Sequence, residues 1–361
     1  MTINKKISMF LPSLRGGGAE RVMLNLANNF CEKGYEVDLI LAKAEGPYLK
    51  DLHRSIKIIN LGAKKVSRSL VPLIKYLQKE KPESLLCAMN YANVIALVAV
   101  KIARVRTEVS VAIHSVLSKG DNFQEKVVLK LMKAFYKDAK NIIAVSNGVA
   151  DQVRRYLSIK EIVVIYNPVL TDNTQKKASE FNNHKWFNNN QKVVLSAGRM
   201  NDDKNFQLLI RAFKLVRNEI DSKLIILGEG TNRNKLTSIV RDNGLQSEVD
   251  MPGFVNNPYS YMRNSSLFVL PSNYESFGNV IVEALTSGTN VVSTDCPYGP
   301  REILEDGKYG TLVPVNDVEL LANSILNNLK EPKHHHVEEF AKKSNKYHID
   351  FVTEKYIDIL F

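Results

Sequence analysis

At 361 residues the chain is longer than one hydrophobic core usually supports, so two domains of similar size are the first expectation. A hydrophobic content of 44% with 24% charged residues excludes a disordered chain, and no apolar run approaches the roughly 20 residues that span a bilayer. The net charge of +11 is unevenly placed: residues 1–167 carry 27 Lys and Arg against 14 Asp and Glu, while 168–361 carry 22 against 24.

The first residues, Met1-Thr2-Ile3-Asn4-Lys5-Lys6, lead directly into an apolar strand-like run at 7–11. No long apolar segment with a small-residue cleavage site precedes it, so a cytoplasmic chain without a secretory signal is expected. The run delivers the loop Pro12-Ser13-Leu14-Arg15-Gly16-Gly17-Gly18 to a helical pattern at 19–33. Three glycines before a helix allow close backbone approach, which suits a phosphate or a sugar pressed against the loop; a glycine turn without ligand is the plain alternative. As a dinucleotide fingerprint the loop is poor. Reading Gly16-x-Gly18 puts Arg21 where the third glycine belongs, and the second strand ends Leu41-Ala42-Lys43 with no acid for a ribose. Further strand-like runs at 37–41, 56–59, 85–88, 109–113, 142–145 and 163–165 are separated mostly by helical patterns such as 70–79 and 91–103, the signature of a parallel sheet covered on both faces.

His114 follows the 109–113 run, at a strand's carboxyl end, where such sheets bind ligands; a lone histidine there is also commonly a structural hydrogen-bonding group. Lys126, Lys130, Lys133 and Lys137, interleaved with Val127, Val128, Leu131, Met132 and Phe135, form a basic amphipathic helix. Such a face suits an anionic membrane or an acidic partner, and equally a solvated helix side.

The alternation breaks at Tyr166-Asn167-Pro168 and in an Asn-rich polar stretch. The expected organisation is therefore a first domain at 1–167, a linker at 168–190, a second domain at 191–340 and a C-terminal helix at 341–361 packing back on the first domain. Strands of the second domain are expected at 193–197, 224–227, 249–251, 267–270 and 291–293, and the tail beyond Val337 reads as helical throughout. Two doubly wound α/β domains facing one cleft is the simplest architecture.

After the 193–197 strand comes Gly198-Arg199-Met200-Asn201-Asp202-Asp203-Lys204-Asn205, in which Arg199 offers a planar fork to phosphate and Lys204 a point charge. Equivalent strand-end places hold Gly228-Glu229-Gly230 and Gly253-Phe254-Val255, the latter with a flat aromatic suited to a base pocket. After the 267–270 strand comes Glu275-Ser276-Phe277-Gly278-Asn279-Val280-Ile281-Val282-Glu283, with Glu275 in the loop and Glu283 inside the next helix. First-turn N–H groups suit phosphate and carboxylates suit sugar or ribose hydroxyls, although an acidic residue that merely complements a helix dipole is the bland alternative. No Asp-x-Asp occurs, so neither a metal–diphosphate clamp nor any metal cofactor is expected. His334-His335-His336 reads as an exposed loop, and Cys31, Cys87 and Cys296 as reduced structural thiols.

Together these motifs resemble the retaining glycosyltransferases of family 4, whose GT-B fold sets two Rossmann-like doubly wound domains across a cleft. Gly17-Gly18-Ala19-Glu20, the segment from Gly198-Arg199 to Lys204-Asn205, and the E-x7-E element carry the likeness over nearly the whole length. It implies a nucleotide-sugar donor held mainly by the second domain and an acceptor held mainly by the first. By motif position Arg199 and Lys204, beside Gly198, bind the donor diphosphate, Glu283 the ribose hydroxyls and Glu275 the transferred sugar. The backbone of Ser276, Phe277, Gly278, Asn279 and Val280 serves the phosphates, Phe254 and Val255 border the nucleobase, Gly17 and Gly18 approach the reaction centre, and His114 matches the family histidine near the donor sugar. Pro297-Tyr298-Gly299-Pro300-Arg301-Glu302-Ile303 looks like the segment of members that extend polysaccharide, O-antigen, capsule or lipid-linked oligosaccharide chains from UDP-hexoses or UDP-N-acetylhexosamines. The resemblance thus implies a UDP-sugar donor, a saccharide acceptor on a polyprenyl diphosphate, no cofactor, and a peripheral place on the inner face of the cytoplasmic membrane. A GT-B nucleotide-sugar epimerase is the alternative within enzymes. A binder of nucleic acid or another acidic partner is the alternative outside them, and it lacks basic residues interleaved with stacking aromatics.

Overall fold

The computed structural model describes residues 5–115, 123–187, 191–331 and 335–361, with only the backbone of 123, 124, 335 and 336. Asn188, Asn189 and Asn190 of the polar stretch and His334 of the histidine run lie outside them. The chain divides into two units, Met1–Val169 with Tyr347–Phe361, and Leu170–Lys346.

In the first unit the strands are β1 (Lys6–Leu11), β2 (Glu36–Leu41), β3 (Lys57–Asn60), β4 (Ser84–Ala88), β5 (Glu108–Ile113), β6 (Asn141–Ala144) and β7 (Val163–Val164). They form one sheet in the order β3-β2-β1-β4-β5-β6-β7, and every pair is parallel. Central strands of a parallel sheet are covered on both faces, which is why β1 from Ile7 to Leu11 and all of β4 are buried. The order reverses at β1, whose neighbours are β2 and β4, so the loop after β1 opens at the switch point.

The second unit holds β8 (Lys192–Ala197), β9 (Ser222–Leu227), β10 (Val249–Gly253), β11 (Leu267–Leu270), β12 (Val291–Thr294) and β13 (Thr311–Val313), in the parallel order β10-β9-β8-β11-β12-β13. Here the switch point lies between β8 and β11, and it brings the loops holding Lys204 and Glu275 side by side. Strand β13 is absent from the sequence-based assignment because three residues, Thr-Leu-Val, carry no usable period. Its pairing with β12 follows a close approach at Gly310, where an added Cβ would lie 2.8 Å from the Val291 carbonyl oxygen.

Residues 171–187 are tied to the second unit. The helix Thr174–Ala178 sends the Gln175 amide to the Thr286 carbonyl at 2.7 Å, and Asn182 donates to Ser260 Oγ at 3.1 Å. The tail is not one continuous helix. A 3-10 turn at Ser344–Tyr347 separates the helices His335–Lys343 and Ile349–Leu360, because the chain passes there from the second unit to the first. Ile349, Val352, Tyr356 and Leu360 then join the apolar core beneath the helix Gly18–Glu32, and Lys33 Nζ meets Glu354 at 2.6 Å.

Candidate active site

Lys204 and Glu275 form an ion pair across the β8/β11 switch point, 71 positions apart in sequence. Glu275 is 8% exposed, and its Oε1 also accepts from the buried Ser272 hydroxyl at 2.8 Å. The carboxylate therefore has a cation and a hydroxyl on one oxygen. Its backbone is pinned as well: Glu275 N donates to the Pro297 carbonyl at 2.8 Å, and Tyr298 N donates to the Glu275 carbonyl at 2.7 Å. Behind this acid, burial first and the Glu275 charge second push the Cys296 thiol up to about 12, so it stays protonated and inert.

Lys204 stands at the end of a 3-10 turn, Asp202–Lys204, whose start is capped by Asn201 Oδ1 accepting from Lys204 N at 3.3 Å. Arg199, five residues earlier, is exposed and has no ion-pair partner among the described residues. Gly198 lies against the Lys204 stem, its hypothetical Cβ 3.4 Å from Cδ and Cε. The neighbouring loop requires glycine at 228: φ is +122°, and a Cβ would stand 2.0 Å from the Gly198 carbonyl oxygen. Met200 N donates to Glu229 O at 2.9 Å, so the loops after β8 and β9 are laced along their backbones.

Past Glu275 the chain turns into the helix Asn279–Thr286, with Gly278 at its start in the left-handed region, φ +101°, and no side-chain cap there. The Phe277 ring is buried at 1% exposure, so what this residue offers the loop surface is backbone. Ser276, Asn279, Val280 and Glu283 are half-buried, Glu283 in the helix's second turn. Phe254 is 61% exposed beyond β10, with Val255 half-buried beside it. Arg301 is committed elsewhere, to Asp295 and, at 3.0 Å, to Asp306.

In the first unit, Gly17 is the N-cap of the helix Gly18–Glu32. The buried Glu20 carboxylate accepts from Gly16 N at 2.7 Å, Gly17 N at 2.9 Å and Ser13 Oγ at 3.3 Å. It occupies two backbone donors that a phosphate would need and adds a negative charge. This loop favours close approach of a neutral polyol over an anion. His114, just beyond β5, is buried; burial holds its pKa at about 4, against a hydrogen bond with the Asn167 side chain that raises it. Its imidazole is neutral at pH 7.

The sequence motifs did not single out Ser272, Asn273 or the interaction role of Asn205. Their only linear signal is proximity to Glu275 and Lys204, and it becomes informative once the two loops are known to be neighbours.

Known proteins match both halves of the chain. The model of "Glycosyltransferase Family 4" matches residues 16–173, and that of "Glycosyl transferases group 1" matches residues 178–346. A Campylobacter jejuni N-acetylgalactosamine-N,N'-diacetylbacillosaminyl-diphospho-undecaprenol 4-alpha-N-acetylgalactosaminyltransferase is 32% identical over 349 residues, covering 90% of this chain and 89% of that protein. A second C. jejuni enzyme, a GalNAc-alpha-(1->4)-GalNAc-alpha-(1->3)-diNAcBac-PP-undecaprenol alpha-1,4-N-acetyl-D-galactosaminyltransferase, is 26% identical over 334 residues, covering 89% and 88%. In structure, Anabaena HepE, crystallised with UDP and glucose, superposes with a TM-score of 0.83 at 21% identity over 99% of both chains, which makes the fold GT-B. With both halves matched and a relative of this identity aligned over nine-tenths of its length, the chain belongs to the retaining glycosyltransferases of family 4.

Proposed function

We propose that this glycosyltransferase moves a hexose or N-acetylhexosamine from a UDP-sugar to a saccharide carried on a polyprenyl diphosphate, in the synthesis of a bacterial surface glycan. The observation that carries the reading is the Lys204–Glu275 pair at the switch point, with the exposed Arg199 on the same loop. Breaking a sugar–phosphate bond leaves negative charge on the diphosphate and oxocarbenium character on the sugar. Lys204, Arg199 and the first-turn amides after Gly278 stabilise the departing diphosphate, and Glu275 and Glu283 take sugar and ribose hydroxyls. Phe254 and Val255 border the base. Gly17, Gly18 and the neutral His114 serve the sugar side as hydrogen-bonding and close-contact groups. A front-face route, in which the leaving diphosphate takes the acceptor proton, suits the retaining family and asks no nucleophile of Glu275.

The names of the C. jejuni relatives support the acceptor class, and the UDP and glucose bound to HepE support the donor. Release of UDP from a UDP-hexose or UDP-N-acetylhexosamine is expected only when a lipid-linked saccharide is added. UDP appearing at the same rate without acceptor, or an epimerised donor, would replace this reading with a hydrolase or an epimerase.

We further propose that the first unit rests on an anionic leaflet. Lys126, Lys130, Lys133 and Lys137 are exposed, with no acidic ion-pair partner among the described residues, while Met132 and Tyr136 anchor the segment in the core. Each such cation near an anionic surface contributes about 1 kcal/mol. Flotation with vesicles rich in phosphatidylglycerol is expected to carry the protein, and neutral phosphatidylcholine vesicles to leave it behind; equal partition between the two ends the proposal.

A further inference from the structure

We propose that Asn205 is the positioning residue that fixes Lys204 against Glu275, and that it does so as a staple between three strand-end loops. Asn205 adopts the left-handed conformation, φ +45° and ψ +41°, which glycine and asparagine accept more readily than other residues. The residue is 4% exposed, and Nδ2 donates at 3.0 Å to Asn273 Oδ1 and at 3.0 Å to Asn316 Oδ1. A carboxamide nitrogen has two hydrogens, and here each has an acceptor. The three asparagines lie on the loops after β8, β11 and β13, so one amide ties together strand ends across half of the sheet.

The staple is placed to act on the ion pair. Asn205 follows Lys204 directly, and Asn273 lies two residues before Glu275. Asn273 also holds the turn that carries Lys204, its N donating to Asp203 O at 2.7 Å and its Nδ2 to Asp202 O at 3.0 Å. Removing the Asn205 amide leaves the Lys204 turn with fewer ties to the Glu275 loop and takes that donor from the side-chain oxygens of the half-buried Asn273 and the exposed Asn316. Glycine at 205 keeps the backbone conformation and deletes the staple, which separates the two roles of the residue.

The inference rests on the reading of Lys204 as a diphosphate ligand, and a double-mutant cycle on UDP binding tests the two separately. UDP affinity is measured by calorimetry for the wild type, Lys204→Ala, Asn205→Gly and the double variant. Asn205→Gly is expected to weaken UDP by about tenfold in the wild-type background and by less than about twofold in the Lys204→Ala background, because the staple acts through the lysine. A residue that supports the fold generally would weaken UDP equally in both, and that result, or unchanged affinity of Asn205→Gly, overturns the proposal. Should Asn205→Gly fail to fold, Asn316→Ala removes one acceptor from a loop that carries no proposed donor contact. The same cycle is then expected to show about a threefold loss that disappears without Lys204, and an equal loss in both backgrounds overturns the proposal. If Lys204→Ala itself leaves UDP affinity unchanged, the diphosphate reading of Lys204 has failed; if it weakens UDP and the cycle is additive, only the role of Asn205 has.

Discussion

Lys204→Ala is expected to lower turnover by about two to three orders of magnitude, while Lys137→Ala stays within about twofold of the wild type. The contrast follows from placement. Lys137 is an exposed cation on the first unit, whereas Lys204 is 22% exposed in its side chain and sits against the buried Glu275 at the switch point. In the proposed reaction the departing diphosphate concentrates charge beside the loop that holds Lys204 and Arg199, and a partly desolvated cation there is worth far more than one in bulk water. The substitution also strips Glu275 of its cation and leaves Ser272 as its remaining side-chain partner among the described residues, so a fall in stability accompanies the kinetic loss. Steady-state kinetics on purified protein, with thermal unfolding alongside, separates the two effects. Arg199→Ala breaks no ion pair among the described residues, and the same measurement should show lost turnover with an unchanged melting temperature. Wild-type turnover in Lys204→Ala removes the leaving-group role.

Acidification from pH 7 is expected to remove on the order of 3 kcal/mol of folding stability through His114, spread between about pH 6.5 and pH 4. Burial is the leading cause, opposed by the hydrogen bond with Asn167. The sign follows from proton counting. Between the two pKa values the unfolded chain carries the proton and the folded chain does not, so falling pH favours unfolding; above about 6.5 the contribution is complete. Denaturant titrations of the wild type and of His114→Gln, whose side chain does not titrate, should give stability curves that converge by this amount on acidification. Curves that stay parallel from pH 7.5 to pH 4 would show that His114 is not buried in its neutral form. For function the consequence is specific: at physiological pH His114 is neutral and shares one hydrogen bond with Asn167, so it brings no charge to a diphosphate.

The strands of both sheets were legible because parallel strands buried on both faces are written as short apolar runs, as in Leu85-Leu86-Cys87-Ala88 and Leu267-Phe268-Val269-Leu270. Where that contrast faded, so did the reading. Strand β13 has three residues, one of them a threonine, and the tail beyond Val337 reads as helical throughout although it turns at 344–347 to change units. The glycine loop shows a different limit. Gly16, Gly17 and Gly18 suggested a phosphate seat equally with a sugar contact, and only the fold of Glu20 back onto Gly16 N and Gly17 N showed that two of its donors are already used.

Composition and period by themselves determined that this is a two-domain α/β chain with a basic first half, and the spacing of glycines, cations and acids after its strands pointed to family 4. Tertiary structure alone decided which strand ends are neighbours, because every buried parallel strand carries much the same apolar pattern and so encodes little about its partner. The order β8-β11-β12-β13 brings Lys204 to Glu275 and Asn205 to both Asn273 and Asn316, contacts that bridge 71, 68 and 111 residues. Charge and hydrogen-bond geometry act over a few ångströms, and the sheet is what converts those separations in sequence into that distance.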